Sequence, residues 1–408
     1  MSRLSPETEV GGLTVTRDGV VHAVGDVSAG RLLDDFRRGD FFFGSAQRTL
    51  LASDSIGVLE DHDWPRLANR IRGTLLGDGL PLAAGVLPYD SAAVPARLIL
   101  PTMVRSAGPL HPAAGRRQVQ AIESGVPVAA VPEPAGYAAS VATAVRQLRA
   151  GELRKVVLAR MLELAFPDSV PVAAILANLV RDNAHGYTFA AELPPADRAG
   201  QRTLLGSSPE LLVSRTGRSV ISHPLAGSAP RSADPVTDNA NARYLVDSAK
   251  EQLEHELVVE AVADTLAPYC RNLVVPPRPS LTATSAVWHL GTKITGELRD
   301  PELSVLTLAA ELHPTPAIGG TPREQAREAI DRLEPFDRDY YAGLVGWVDA
   351  NGDGQWAIAI RCADIAERAM RLFAGAGIVA DSQPERELAE TTAKFQTLLR
   401  AMGLTLES

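Results

Sequence analysis

Gly343-Leu-Val-Gly-Trp-Val-Asp-Ala-Asn-Gly-Asp-Gly-Gln-Trp-Ala-Ile-Ala-Ile360 sets two apolar runs, 343–348 and 355–360, around a polar link at 349–354. Two readings compete for it. As a calcium loop, Asp349, Asn351 and Asp353 would be the first ligands and Gly354 the turn glycine, but the twelfth position, which needs a bidentate acid, holds Ile360. The metal loop fails on that residue. The segment reads instead as a β-hairpin, because Asn351-Gly352 and Asp353-Gly354 supply the positive φ angles that a tight turn requires.

Outward from the hairpin, Arg371-Leu-Phe-Ala374 makes a further strand, and Pro384 opens a last helix that runs to about Met402. Upstream, 240–267 is the longest helical signal, with Leu245, Ala249, Leu253, Leu257 and Ala261 on one apolar stripe. A helix over 137–150 stops at Gly151, and Lys155-Val-Val-Leu-Ala then starts a β-branched strand. Residues 1–135 alternate short apolar segments with Gly/Pro turns; 41–43 and 96–100 read as strands, and the Pro/Gly/Ala-rich 108–134 as a long connection. The sequence has no internal repeat and no low-complexity segment.

At 408 residues the chain exceeds the size at which single cores usually stop growing, about 250–300 residues, so two domains or one large two-layered domain are the options. Hydrophobic residues at 45% and charged residues at 22% exclude a disordered or fibrous chain. The net charge of −9 disfavours a nucleic-acid or membrane-surface partner, since phosphate binding rewards a basic face. Two cysteines, Cys270 and Cys362, cannot form a metal quartet, and such sparse usage suits a reducing cytosol. Met1-Ser-Arg-Leu-Ser-Pro-Glu7 lacks the apolar run of a secretory signal, and no stretch approaches the roughly 18 apolar residues of a bilayer span. A cytoplasmic location is expected.

Three further motif matches fail. Gly375-Ala-Gly377-Ile-Val-Ala380 fits a dinucleotide-binding pattern, but Pro384 interrupts the helix that should cradle a pyrophosphate, and the chain ends before a second strand. His255-Glu256 resembles a zincin motif with Val259 in place of the second histidine. Gly206-Ser-Ser-Pro-Glu210 lacks the last glycine of a nucleophile elbow.

Carboxylates and isolated charges remain. Glu251 and Glu254 stand three apart on the long helix, and Glu387, Glu390 and Lys394 form one stripe of the last helix. Brought together, two such faces would make an oxygen-rich site for a hard cation such as magnesium. Apart, they are two solvated helix faces, and sequence pattern alone does not decide. Lys155 and Glu210 each adjoin an apolar segment; burial would lower the lysine pKa and raise that of the glutamate, as a base and an acid near neutrality require, whereas strand-end residues reaching solvent would not shift. His289, after Trp288, is by its type more often a hydrogen-bonded core histidine than a catalyst.

Nine segments in order resemble the signatures of the chorismate-utilising enzymes. They are Lys155-Val-Val-Leu-Ala-Arg160, Gly206-Ser-Ser-Pro-Glu-Leu-Leu212, Pro224-Leu-Ala-Gly-Ser228, Glu254-His255, Trp288-His-Leu290, His313-Pro-Thr-Pro-Ala317, Ile360-Arg-Cys362, Gly375-Ala-Gly-Ile-Val379 and Glu390-Thr391. The family includes isochorismate, salicylate, anthranilate and aminodeoxychorismate synthases. Phe41-Phe-Phe-Gly-Ser45, Trp288-His-Leu290 and His313-Pro-Thr-Pro-Ala317 point to the isochorismate synthases. Gly291 and Tyr341 instead resemble the salicylate-forming relatives, which eliminate pyruvate from isochorismate.

The resemblance implies an α+β fold: a single large domain over 1–408, with two stacked antiparallel sheets surrounded by helices and the motifs in 136–408. It implies Lys155 as the base that activates water and Glu210 as the acid that protonates the departing C4 hydroxyl, with His289 beside the reacting ring. A magnesium ion held by Glu254 and Glu390, with Glu251 and Glu387 directly or through water, would bind the ring carboxylate of chorismate. Tyr341, Arg361, Lys394 and the backbone around Gly375, Ala376 and Gly377 would hold the pyruvyl carboxylate, and Ala226, Gly227, Ser228 and Thr315 complete the substrate site. The Ala226-Gly-Ser228 segment looks like that of water-using members, and no glutamine amidotransferase subunit is expected; the chain is expected to be a monomer. The product would serve siderophore, salicylate or menaquinone synthesis. A non-catalytic or nucleotide-binding subunit is the alternative of another class, opposed by the presence of Lys155, Glu210 and the carboxylates together.

Overall fold

The computed structural model describes residues 9–10, 13–15, 21–23, 27–110, 126–182, 186–195 and 200–404. Its helices are α1 (Ala29–Asp35), α2 (Trp64–Asp78), α3 (Pro134–Arg149), α4 (Val172–Asp182), α5 (Pro235–Asp247), α6 (Ala249–Leu266), α7 (Val305–Leu312), α8 (Arg323–Leu333) and α9 (Pro384–Ala401).

The hairpin at 343–360 forms as expected, with Leu344–Asp349 antiparallel to Gly354–Ile358. Asp349 uses its carboxylate on the turn itself: Oδ1 accepts from the backbone N–H of Asn351 at 2.8 Å and of Asp353 at 2.9 Å, and Gly352 takes φ +82°. From one arm, antiparallel pairing passes through Leu82–Leu87, Ala96–Ala107, Thr49–Asp61, Phe41–Gly44, Tyr187–Leu193, Arg202–Ser208, Cys362–Ile365 and Ala369–Ile378 to Lys155–Ala165. From the other arm it passes through Leu211–Thr216, Ser219–His223 and Ile294–Leu298 to Cys270–Val274. A smaller antiparallel sheet sets Val287–Gly291 between Leu225–Pro230 and Ser280–Ala283. The class is α+β, antiparallel sheets surrounded by helices.

Lys155–Ala165 is nearly continuous in apolar residues because both of its faces are covered. Val156, Leu158 and Met161 join the larger core with Trp356, Leu98 and Val345, while Leu162 and Leu164 meet Ile175 and Leu176 of α4 and Leu398 and Leu399 of α9. This strand and its partner Ala369–Ile378 therefore form a rigid floor.

Two expectations need correction, and one alternative falls. The segment 108–134 is not all connection: Val126–Val131 is a strand paired with Lys155–Ala165, and 111–125 lie outside the described residues. The signal over 240–267 is two helices broken at Ser248, whose side chain caps α6 by accepting from Glu251 N–H. The apolar stripe also misleads, because Leu253 is 50% exposed while Glu251, Glu254 and His255 lie on the buried face of α6. Finally, Gly375-Ala-Gly377 belongs to a strand, with Gly375 opposite Ala159 and Gly377 opposite Val157. A strand aims no row of free amides at a phosphate, which removes the nucleotide-binding alternative.

Candidate active site

A narrow cavity of about 50 Å³ opens between the two sheets and α9; its lining includes Glu210, Ala226, Gly227, Ser228, Glu254, His289, Tyr341, Arg361, Gly375, Gly377 and Lys394. Eleven of the expected site residues thus meet in one place. Lys155 lies just behind the lining, wholly buried, with Nζ 3.0 Å from Glu254 Oε1. Thr315 is buried near the wall made by Ala317 and Ile318, and Ala376 lies outside the lining, as alternation along a strand requires. Glu251, Glu387 and Glu390 face an adjoining cleft of about 510 Å³, which shares Ser228 with the inner cavity.

Local structure explains the placement. Gly377 carries no side chain because Glu254 occupies that space: a Cβ there would lie 2.1 Å from Glu254 Oε1 and 3.1 Å from Lys155 Cε. A Cβ on Gly375 would come 2.9 Å from the Tyr341 hydroxyl, and Tyr341 stacks on Phe373 at 4.8 Å. Gly227 takes φ +72°, which lets the backbone turn against Glu251, whose Oε2 accepts from Ser228 N–H at 3.0 Å. Gly291 is also required by packing, since a Cβ would meet Leu225 at 2.7 Å and His223 at 2.9 Å.

The electrostatics separate an acid from its surroundings. Burial pushes the Glu210 carboxyl up to about 7, against the pull of a backbone hydrogen bond from Leu225 and of Lys155 and Arg361. Burial also acts to raise Glu254, but Lys155 and Lys250 outweigh it and hold the group below its usual range. His289 is pushed well below its usual value by burial and then by Arg361. Its Nδ1 lies 3.0 Å from the Gly227 carbonyl, so that nitrogen carries the proton, and Nε2 accepts from Arg361 Nη2 at 3.1 Å. In this state His289 has no proton to give the cavity; it fixes Arg361, whose own backbone sits at φ +51°. Lys394 bonds the Gly375 carbonyl at 2.8 Å and Glu390 beside it.

Four carboxylates, from Glu251 and Glu254 on α6 and Glu387 and Glu390 on α9, approach one another across the two clefts. Burial and then Glu390 raise Glu387 to about 7, and burial and then Glu254 raise Glu251. Such a set, all oxygen and in excess of negative charge, has the donor chemistry of a magnesium site. As they stand, no three acidic, imidazole or thiol groups among the described residues form a group that could hold a metal ion. The reason is visible: each carboxylate is turned to a lysine, Glu254 to Lys155, Glu390 to Lys394, and both Glu251 and Glu387 to Lys250.

Sequence reading missed three supports. Lys250 bridges the helices. Arg160, from the same strand as Lys155, donates to Thr391 at 2.9 Å and Thr392 at 2.5 Å and packs over Phe395, pinning α9. Arg338 pairs with Glu334 and donates to the Val157 and Ile318 carbonyls, while Glu334 accepts from Ala159 N–H. Only the four-residue spacing of Glu334 and Arg338 was visible in sequence, and it signals an ordinary helix-surface pair.

No helix among the described residues is long and apolar enough to cross a membrane. Residues 111–403 match the family model of chorismate binding enzymes. The chain is similar to isochorismate synthase DhbC of Bacillus subtilis, 45% identical over 94% of this chain and 98% of that one. It is likewise similar to the vibriobactin-specific isochorismate synthase of Vibrio cholerae, 41% identical over 90% of this chain and 93% of that one. A Bacillus anthracis structure described as a 2,3-dihydroxybenzoate-specific isochorismate synthase superposes with a TM-score of 0.86, 43% identity and coverage of 92% of this chain and 100% of that chain. Motif order, fold and near full-length identity agree, and the chain belongs to the chorismate-binding enzymes, in their isochorismate synthase branch.

Proposed function

We propose that the chain, acting as one catalytic domain, isomerises chorismate to isochorismate at the inner cavity, which at about 50 Å³ must widen toward the outer cleft to admit the ring. The observation that carries this reading is the pairing of Lys155 and Glu210 about one buried chamber, the carboxyl held ready to give a proton near neutral pH. Lys155, acting as the base, takes a proton from water as oxygen bonds to C2 of the ring. The ring double bond shifts, the C4–O bond breaks, and Glu210 protonates the departing hydroxyl. One water enters and one leaves, and proton return from Lys155 to Glu210 restores the site. Arg361, held by His289, together with Tyr341 and Lys394, orients the pyruvyl carboxylate. Glu254 and Glu390, with Glu251 and Glu387 directly or through water, would hold a magnesium ion, which when bound supplies positive charge for the ring carboxylate. The acidic chain needs such local positive groups to accept a dianion. The reaction is proposed for a monomer in the cytoplasm that uses water, with no ammonia-supplying subunit.

The test is chromatography of purified protein incubated with chorismate and magnesium. Isochorismate in equilibrium with chorismate, without pyruvate, is the expected product. Salicylate with pyruvate would assign the salicylate-forming reaction to the same cavity, and no turnover would defeat the catalytic reading.

A further inference from the structure

Lys250 has no part in the chemistry above. It stands two residues after the Ser248 cap of α6, where its ammonium reaches across to α9. Nζ lies 2.9 Å from Glu387 Oε1 and 3.3 Å from Glu251 Oε1, and both carboxylates are almost wholly buried. Lys155 and Lys394 take the other two carboxylates, so Lys250 is the counter-charge of the pair that would otherwise face each other alone. Its place is at a boundary. Lys250, Glu251 and Glu387 line the outer cleft of about 510 Å³, and Ser228 and the Glu254 side of α6 belong to the inner cavity. The flexible four-carbon stem of lysine can swing into that outer space without moving the helix.

We propose that Lys250 is the resident cation of the carboxylate cluster: it ties α6 to α9 while no divalent ion is bound, and it must leave for the outer cleft when one binds. This rests on the magnesium reading of the same carboxylates. One cation exchanges for another because a divalent ion and an ammonium cannot both take Glu251 and Glu387 without strong mutual repulsion at such short range. Lysine, a compact charge on a mobile stem, suits an exchange that the fork of an arginine would resist.

Isothermal titration calorimetry with magnesium chloride, and thermal unfolding in chelator and in saturating magnesium, test this on the full chain. Lys250→Met is expected to bind magnesium at least about tenfold more tightly than wild type, since a change of 1.4 kcal/mol in competition is tenfold in Kd. Its Tm in chelator should fall, and the two proteins should converge in saturating magnesium. Lys250→Arg, which keeps the charge and the fold, should bind magnesium several-fold more weakly, and it carries the test where Lys250→Met does not fold in chelator. Unchanged or weaker magnesium affinity in Lys250→Met, or unchanged affinity in Lys250→Arg, overturns the proposal. If wild type binds magnesium and the Lys250 variants match it, only the exchange fails. If wild type shows neither heat nor a rise in Tm, and Glu390→Gln behaves alike, the magnesium reading fails with it.

Discussion

Replacing Glu210 with glutamine separates the two consequences of burying that carboxyl. Glu210 is 3% exposed and ionises near 7 in the folded protein, against 4.5 for an unperturbed group. The folded state therefore holds the proton more tightly than the unfolded state. Below pH 4.5 both states are protonated and the group costs nothing. As pH rises through the window from 4.5 to about 7, stability is lost, and above it the loss is complete. At about 1.4 kcal/mol for each pKa unit, that loss is on the order of 3 kcal/mol. Glutamine keeps the shape and cannot ionise. Glu210→Gln is thus expected to be more stable than wild type by up to about 3 kcal/mol at about pH 8, and nearly equal to it at about pH 4. Activity should move the other way: loss of a general acid costs roughly 10²–10⁴-fold in rate. For wild type, kcat/KM should fall as pH rises through about 7, where free Glu210 loses its proton. Chemical denaturation at both pH values, beside product formation followed by chromatography, reads all three. A variant equal in stability to wild type at both pH values, or one that turns over at the wild-type rate, would refute the reasoning.

Two further substitutions probe the floor of the site. Gly377→Ala puts a methyl group 2.1 Å from the present position of Glu254 Oε1, so the carboxylate and Lys155 must shift. A displacement of about 1 Å at reacting groups typically costs about 10²-fold, so turnover should fall by that order while thermal stability stays close to wild type; undiminished turnover would show that Glu254 can move freely. Arg338→Met leaves Glu334 buried beneath strand Lys155–Ala165 with no counter-charge and frees the Val157 and Ile318 carbonyls. Urea denaturation should show a loss of about 3–5 kcal/mol, largely recovered when Glu334 is also replaced by methionine. A loss below about 1 kcal/mol would mean that water reaches the pair.

The segment 343–360 was legible because its information is local. Turn glycines at fixed offsets, and the absence of an acid at position 360, decide between hairpin and metal loop without any distant contact. The last helix, the strand at Lys155 and the order of the nine motifs were readable for the same reason, and the motif order carried the family. The stripe on 240–267 failed because periodicity reports which side chains are apolar, not which are covered. The face of α6 that the fold buries is the one bearing Glu251, Glu254 and His255, and Leu253 is left outside.

What the sequence determined, then, was the identity of the chemical groups and the elements that carry them. Whether those groups form a site was settled by contacts between parts of the chain far apart in sequence. Lys155 meets Glu254 because Gly377, on the neighbouring strand, leaves room for the carboxylate. Glu251 and Glu387 share Lys250 because Arg160 pins α9 to the strand beneath it. Glu210 ionises near 7 because the two sheets close over it and exclude water. Desolvation and charge pairing are properties of the packed assembly, and no stretch of sequence possesses them alone.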